Sequence, residues 1–457
     1  MQALTASLTL LATGLLIPLA DSHGDLSVFV GCVFVATALG TLFVIPIRFL
    51  PAIALIVTLL VPTETTVPHL FEGSALGGVP LIVWMIRAPR SGQTPTALRL
   101  LACLLGVWFV LSYVFAPLHT HRGAEWLVTA TIVMVITVIS TPQGLKPGDL
   151  RALFLAIATV LGIYALLEGF ALHHNVLFAS LFEHTTWWRA LHYNASYRVT
   201  TLLGHPLFNG LVFSAAAVLA ASNLVQQPKK PLVALARFII LVGATDATHS
   251  RGADIALAIG VGVVIAFSRG RGQGWRTRKL VLTISCLLGA VVLVYGLQAR
   301  DESREGQSSA QTRIAVIKRA SEALHHVEPF GAGPGESDAY RKAKRLPGWE
   351  TDLENSYAEL IVSLGPIGVL LVLALLIAVV AFGLQNELVR GEAAALLTIL
   401  VSMAGFNAIE GHKPVMILIA LLVIVILTAP RHKSIRRAHN GRAATRPLSR
   451  RRVVIAG

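Results

Sequence analysis

Apolar runs of about 17 to 22 residues, separated by short polar clusters, recur along most of the 457-residue chain. A helix of about 20 apolar residues is long enough to cross the ~30 Å hydrocarbon core of a bilayer. Backbone polar groups inside lipid need partners within their own segment, so such runs form helices. The alternation of apolar and polar residues that marks membrane strands is missing from the sequence. The pattern therefore predicts an all-α, polytopic membrane helix bundle.

The runs predict spans near residues 98–116, 125–140, 151–172, 206–225, 231–247, 252–268, 280–298, 361–383, 392–409 and 414–430. Two further spans precede residue 49, and two short apolar stretches follow near 49–61 and 76–86. These stretches fit a full hairpin, tilted helices or a re-entrant pair. Depending on which holds, the bundle has about 12 to 14 crossings.

Basic residues set the expected orientation, since loops rich in Lys and Arg stay in the cytoplasm. Residues 269–279 contain five basic residues and no acid, and the tail 431–457 contains nine Lys and Arg and no acid. The net charge of +14 therefore reflects membrane topology, and no nucleic-acid partner is expected. We expect a bacterial plasma (inner) membrane protein with both termini in the cytoplasm.

This topology divides the chain into four parts. Residues 1–298 are expected to be transmembrane helices with a short outer segment, 173–205, and residues 299–356 one long extracytoplasmic loop. Residues 357–430 are expected to return to the membrane, and residues 431–457 to form a basic cytoplasmic tail.

Polar residues inside or beside a span are functional candidates, because a charge in lipid is unfavourable. One cluster contains Arg198 and the Gly-His-Pro sequence around His205. A second, residues 245–254, joins two predicted spans and contains Asp246, Arg251 and Asp254. Such a turn fits a polar cavity between helices, and it equally fits a helix-end cap with a local Asp–Arg pair.

The long loop offers cations and carboxylates near the membrane surface. A helical pattern at 312–328 carries Arg313, a Gly-rich turn follows at 329–335, and Glu354 and Asn355 directly precede the next span. Arginine binds phosphate through its planar fork, and a Gly-rich turn allows close approach of the backbone to a ligand. Glu354 is equally consistent with an acid in the first turn of the next helix, where the helix dipole favours a negative charge. Arg313 is equally consistent with a solvent-exposed residue of a helix.

The order of these motifs resembles the O-antigen ligase and polymerase superfamily of bacterial membrane glycosyltransferases. The resemblance covers roughly residues 195–370: Arg198 with the stretch 204–210, the Ser-Arg-Gly-Ala element at 250–253, Arg313, the turn 329–335, the sequence 354–360 and Gly-Pro-Ile-Gly at 365–368. It implies a GT-C-like bundle that transfers a glycan from an undecaprenyl-diphosphate carrier outside the membrane, with inversion and without a metal.

The resemblance also implies roles for individual residues. Ligases carry His-Asn at the turn before the final span, where this chain has Glu354-Asn355, which favours a polymerase or exopolysaccharide-type transferase over a ligase. Glu354 is then the expected general base. Arg198, Arg251 and Arg313 are expected to bind the diphosphate, with His205 and Asn355 also binding substrate. The partners are a lipid-linked oligosaccharide, a glycan acceptor and membrane lipid.

Three alternatives stay open. The chain could be an O-antigen-type ligase that uses a non-polymer acceptor, a transporter or flippase of a lipid-linked or anionic substrate, or an assembly scaffold. Transporters often contain repeated halves, and the sequence shows no repeat. A zinc site is not expected, because the histidines of 173–205 lack the spacing of a compact metal site. No cofactor is expected.

Overall fold

The computed structural model describes residues 40–61, 66–67, 71–72, 76–89, 94–141, 146–182, 197–226, 231–268, 274, 276–284, 328–344 and 355–430. Its helices, in chain order, are α1 Leu50–Leu60, α2 Gly78–Arg87, α3 Thr96–Val114, α4 His121–Ser140, α5 Pro147–Leu172, α6 Ala179–Phe182, α7 Pro206–Gln226, α8 Pro231–Ala247, α9 Arg251–Phe267, α10 Ser337–Lys344, α11 Ser356–Leu384, α12 Arg390–Ser402, α13 Ala408–Gly411 and α14 Lys413–Thr428.

The predicted all-α membrane bundle is confirmed. Five described helices, α3, α4, α5, α7 and α11, are long and apolar enough to cross a membrane. The predicted spans from 98 to 268 each correspond to one helix. The span predicted at 280–298 and the two before residue 49 lie largely outside the described residues. The span predicted at 392–409 is shorter than expected, because α12 ends at Ser402 and a 3₁₀ turn, Met403–Gly405, follows.

The two short apolar stretches at 49–61 and 76–86 form helices α1 and α2, which pack against each other. With 11 and 10 residues they measure about 15 Å each, half the thickness of the hydrocarbon core. Between them the backbone forms a small antiparallel pair of strands, β1 Thr66–Val67 and β2 Phe71–Glu72. The number of crossings in this part of the chain stays a prediction.

Helix α7 is the centre of the described bundle. It is buried along nearly its whole length and contacts α5, α8, α9 and α12. Its many Ala and Ser residues let the neighbouring backbones approach closely, which is how helices pack in a membrane. A Cβ atom added to Gly260 of α9 would lie 2.6 Å from the side chain of Val218 and 2.0 Å from that of Thr398.

In contrast to the buried helix α7, helix α3 has an exposed face, and that face is apolar. Its exposed side chains recur at helical spacing: Leu100, Leu104, Val107, Val110 and Val114. A soluble protein would place polar residues on such a face, so this stripe fits contact with lipid.

Helix α11 is broken at Gly365, which adopts φ +70° and ψ 171°, a backbone conformation almost confined to glycine. The following residue, Pro366, has no N–H to donate to the carbonyl of Val362. Three donors from outside the helix bind the carbonyls near the break: Ala332 N to Val362 O at 2.7 Å, Gly333 N to Ser363 O at 3.1 Å and the Trp108 indole to Leu364 O at 2.9 Å.

The Gly-rich turn at 329–335 is thereby docked into the bundle. A Cβ atom on Gly331 would lie 2.2 Å from Ser363 O, so only glycine fits at this contact. Phe330 of the same turn stacks on Trp108 at 5.2 Å and on Phe115 at 5.0 Å between ring centroids. The close backbone approach that the sequence predicts is therefore made to the protein's own broken helix.

We predict that Gly365→Ala lowers the thermal unfolding midpoint of the detergent-purified protein. The new Cβ would lie 2.2 Å from Pro329 O, and the backbone conformation alone is unfavourable for alanine by roughly 1–3 kcal/mol. The matched control is Gly262→Ala in α9, where a Cβ meets nothing within 4 Å. Equal midpoints for the two variants would contradict the structural role of the break.

Candidate functional site

The segment after α12 is the point at which several parts of the chain meet. The carbonyl of Phe406 accepts hydrogen bonds from Ser356 N at 3.1 Å and from Ser356 Oγ at 2.6 Å. Ser356 is the first residue of α11. These bonds hold the end of the long loop against the segment that joins α12 to α13. These bonds therefore hold Phe406 in place beside the start of α11.

Two imidazoles pack around the Phe406 ring. His205, just before α7, stacks on it at 5.3 Å between ring centroids, and His412, just before α14, lies 4.7 Å away. The two imidazole centroids are 5.1 Å apart. Both histidines are mostly buried but keep a partly exposed surface, so this group forms a wall rather than a closed core.

The surroundings favour the neutral form of both imidazoles. Burial, followed by the nearby His412 and the charge of Arg198, lowers the pKa of His205 well below its usual value. Burial lowers the pKa of His412 to about 4. A neutral imidazole has one donor and one acceptor nitrogen. Nδ1 of His205 accepts from Leu207 N at 3.3 Å, so its Nε2 is the donor nitrogen.

Arg198 lies close to this wall, since its charge acts on His205. Its Nε donates to the carbonyl of Thr248 at 3.2 Å, in the connection between α8 and α9. The next residue, Val199, bonds through its N–H to Ala247 O at 3.5 Å. The segment that carries Arg198 therefore packs along the end of α8.

Arg251 is the first residue of α9, and Ser250 caps that helix by accepting from Ala253 N at 3.4 Å. The neighbouring Gly252 sits against the turn after α12, where an added Cβ would lie 3.6 Å from the Cα of Gly405. This van der Waals contact places the start of α9 beside the residue next to Phe406.

Four of the predicted site residues thus belong to segments that meet around Phe406: Arg198, His205, Arg251 and Asn355. Asn355 has a clear local role, because its Oδ1 caps α11 by accepting from Tyr357 N at 2.9 Å and Ala358 N at 3.1 Å. Glu354 and Arg313 lie outside the described residues. Glu354 directly precedes Asn355 in the sequence.

The cluster at 245–254 is only partly buried. Asp246 is exposed, whereas Asp254 in the first turn of α9 is buried. Only one of the two acids therefore faces the interior. Within the described residues no group of three His, Cys, Asp or Glu side chains is arranged to hold a metal ion. Metal independence stays a prediction.

Residues 236–373 match a family model described as O-antigen ligase. This match supports the resemblance to the O-antigen ligase and polymerase superfamily. The matched ligase-family segment runs from α8 to the first half of α11 and includes Arg251 and Asn355. Arg198 and His205 precede it. No curated protein matches the chain.

Three residues of this region did not enter the predicted site: Glu168, Glu410 and His412. Glu168 is a lone charge within a long apolar run, which by itself marks a functional candidate. Glu410 and His412 sit in a Glu-Gly-His-Lys sequence that was assigned to a connection between two spans. The order of motifs could not reveal them, since only the fold places them beside residues distant in the chain.

Glu410 ties the described part of the long loop to the bundle. Its Oε2 accepts from Ser337 Oγ at 2.5 Å and from Ser337 N at 3.4 Å, at the start of α10. Burial raises the pKa of Glu410 to about 7, against the opposite influence of Ser337 and of the charge on Arg122. A second carboxylate, Glu336, accepts from the backbone N–H of Thr120 at 2.7 Å. These contacts fix the loop beside the Phe406 wall.

We predict that Glu410 makes stability depend on pH. Its folded-state pKa is about 7, above the 4.5 of an exposed Glu, so its stabilising contribution is full below about pH 4.5 and is lost as the pH rises through 7. The unfolding midpoint of the wild type, minus that of Glu410→Gln, should therefore fall between pH 5 and pH 8. A difference that does not change with pH would refute the raised pKa.

Proposed function

We propose that this protein is a polymerase or related transferase that moves a glycan from a polyprenyl-diphosphate carrier to a hydroxyl of an acceptor glycan. We place the reaction at the end of the bundle that carries residues 328–344, on the extracytoplasmic side of a bacterial plasma membrane. Both termini then lie in the cytoplasm. The match to the O-antigen ligase family supports transfer of a membrane-borne glycan in general.

The observation that carries the proposal is the placement of two arginines at one connection. Arg198 donates to the carbonyl of Thr248, and Arg251 begins α9 three residues later, so both border residues 248–250. A cation at a helix N-terminus opposes the helix dipole, and an anion there is favoured by both. Two arginines beside a helix N-terminus therefore favour an anionic ligand such as a diphosphate.

In the proposed reaction the acceptor hydroxyl attacks the anomeric carbon of the donor sugar, and the bond from that carbon to the diphosphate oxygen breaks. The hydroxyl proton passes to a general base, for which Glu354 is the candidate. The diphosphate leaves with the electron pair, and the arginines stabilise its growing charge. Attack from the face opposite the leaving group inverts the anomeric configuration.

The direct test is a reconstituted reaction. Purified protein in nanodiscs is incubated with a polyprenyl-diphosphate oligosaccharide, with and without EDTA, and the products are separated by size. A polymerase gives a ladder of lengthened glycans on the carrier lipid, with or without EDTA. Transfer only to an added non-polymer acceptor would instead indicate a ligase. No transfer to any acceptor, with transport of the intact donor, would reject the proposal.

We predict that Arg198→Ala and Arg251→Ala each lower kcat by roughly 10²–10³-fold, as removal of a charge-stabilising donor does. Arg→Lys should restore little activity, because lysine is a point charge without the bidentate fork. Arg276→Ala is the control, since Arg276 is exposed in a segment predicted to be cytoplasmic. Full activity of both Lys variants would show that bidentate binding is the wrong explanation.

We predict that Glu354→Gln lowers kcat by roughly 10²–10⁴-fold, because the amide cannot accept the hydroxyl proton. Binding of the donor should change little. If Glu354 only supports the start of α11, the Gln variant keeps its turnover and loses thermal stability instead. Glu387→Gln, at an exposed carboxylate elsewhere in the bundle, is the matched control.

A further inference from the structure

We propose that Glu168 is the positioning residue for Arg198, holding the backbone of residues 197–201 so that the guanidinium faces the diphosphate. This inference rests on the proposed function. It concerns a carboxylate on α5 that is fully buried and lies 30 residues before Arg198 in the sequence.

The Glu168 carboxylate binds the residues on both sides of Arg198. Its Oε1 accepts from Thr200 N at 2.7 Å, from Thr200 Oγ1 at 3.1 Å and from the Tyr197 hydroxyl at 2.6 Å. Its Oε2 accepts from Thr201 N at 3.1 Å. Four donors converge on one carboxylate, which is the arrangement that an ionised, acceptor-only group satisfies.

The segment needs such support because its own backbone is unfavourable. Thr201 adopts φ +44°, in the left-handed region, which a β-branched residue rarely enters. A conformation of this kind persists only where its surroundings determine it strongly. Two asparagines complete the support: Asn209 Nδ2 donates to Thr200 O at 2.6 Å, and Asn175 Nδ2 donates to Thr201 O at 2.9 Å.

The helix that carries Glu168 is itself distorted at this point. Residues Leu167–Leu172 form a π turn, a feature that is frequent at functional sites. A Cβ on the adjacent Gly169 would lie 2.9 Å from the side chain of Val199 and 3.2 Å from that of Ala247. The π turn therefore packs directly on the residue after Arg198 and on the end of α8.

These contacts fix the backbone of the segment separately from the side chain of Arg198. The residues beside Arg198 are fixed by Glu168, while the Arg198 side chain points to the α8–α9 connection, where its Nε binds Thr248 O. Replacing Glu168 by Gln turns one acceptor oxygen into a donor that faces a backbone N–H or a hydroxyl. The segment must then shift, and the guanidinium loses its alignment with the diphosphate.

The test is a double-mutant cycle on binding of undecaprenyl diphosphate, measured in nanodiscs for the wild type, Glu168→Gln, Arg198→Ala and the double variant. We expect each single variant to weaken binding by roughly tenfold, equivalent to about 1.4 kcal/mol. The double variant should bind no more weakly than Arg198→Ala, because Glu168 acts through Arg198. The control is Glu392→Gln, which alters the buried pair with Arg151 at the far end of α5.

Binding by Glu168→Gln equal to wild type, or a double variant weakened by the product of both effects, would overturn the positioning role. If Glu168→Gln does not fold, Tyr197→Phe takes its place. It removes one of the four bonds and should weaken binding a few-fold, with no effect when Arg198 is already Ala. Equal binding by Arg198→Ala and wild type would instead reject the diphosphate assignment, and this inference with it.

Discussion

A backbone that leaves the helical conformation inside a membrane bundle must find new partners for its polar groups, and this requirement organises the whole site. At the break of α11 the partners are the N–H groups of Ala332 and Gly333. At residues 197–201 they are Glu168 and two asparagines, and after α12 Ser356 binds Phe406. Each irregular segment is thus fixed by another part of the chain.

This requirement also explains why the candidate site lies where it does. The irregular segments and the helix ends beside them bring Arg198, Arg251 and the imidazoles of His205 and His412 to one end of the bundle. At the other end of the bundle, Arg151 donates to both oxygens of Glu392, at 2.7 and 2.6 Å, and to the carbonyl of Leu388. That arginine is fully engaged within the protein, which suits a structural role.

The hydrophobic pattern predicts most helices well, because the length of an apolar run is fixed by the membrane itself. It predicts residues 392–409 too long, since hydropathy does not register the turn at Met403–Gly405. Motif order identified Arg198 and Arg251 as candidates. It could not identify Glu168 or His412, whose significance depends on contacts between residues far apart in sequence. The sequence likewise could not show that Asn355 caps α11, because an asparagine before a helix can either cap the helix or bind a ligand.

The central claim is that Arg198 and Arg251 together recognise a diphosphate, and the most direct measurement compares two lipids that differ by one phosphate. Affinities for polyprenyl diphosphate and polyprenyl monophosphate are measured in nanodiscs for the wild type and for the variant with both arginines replaced by Ala. The account predicts that the wild type binds the diphosphate at least about tenfold more tightly and that the double variant loses this preference. Equal affinity of the wild type for the two lipids would contradict it.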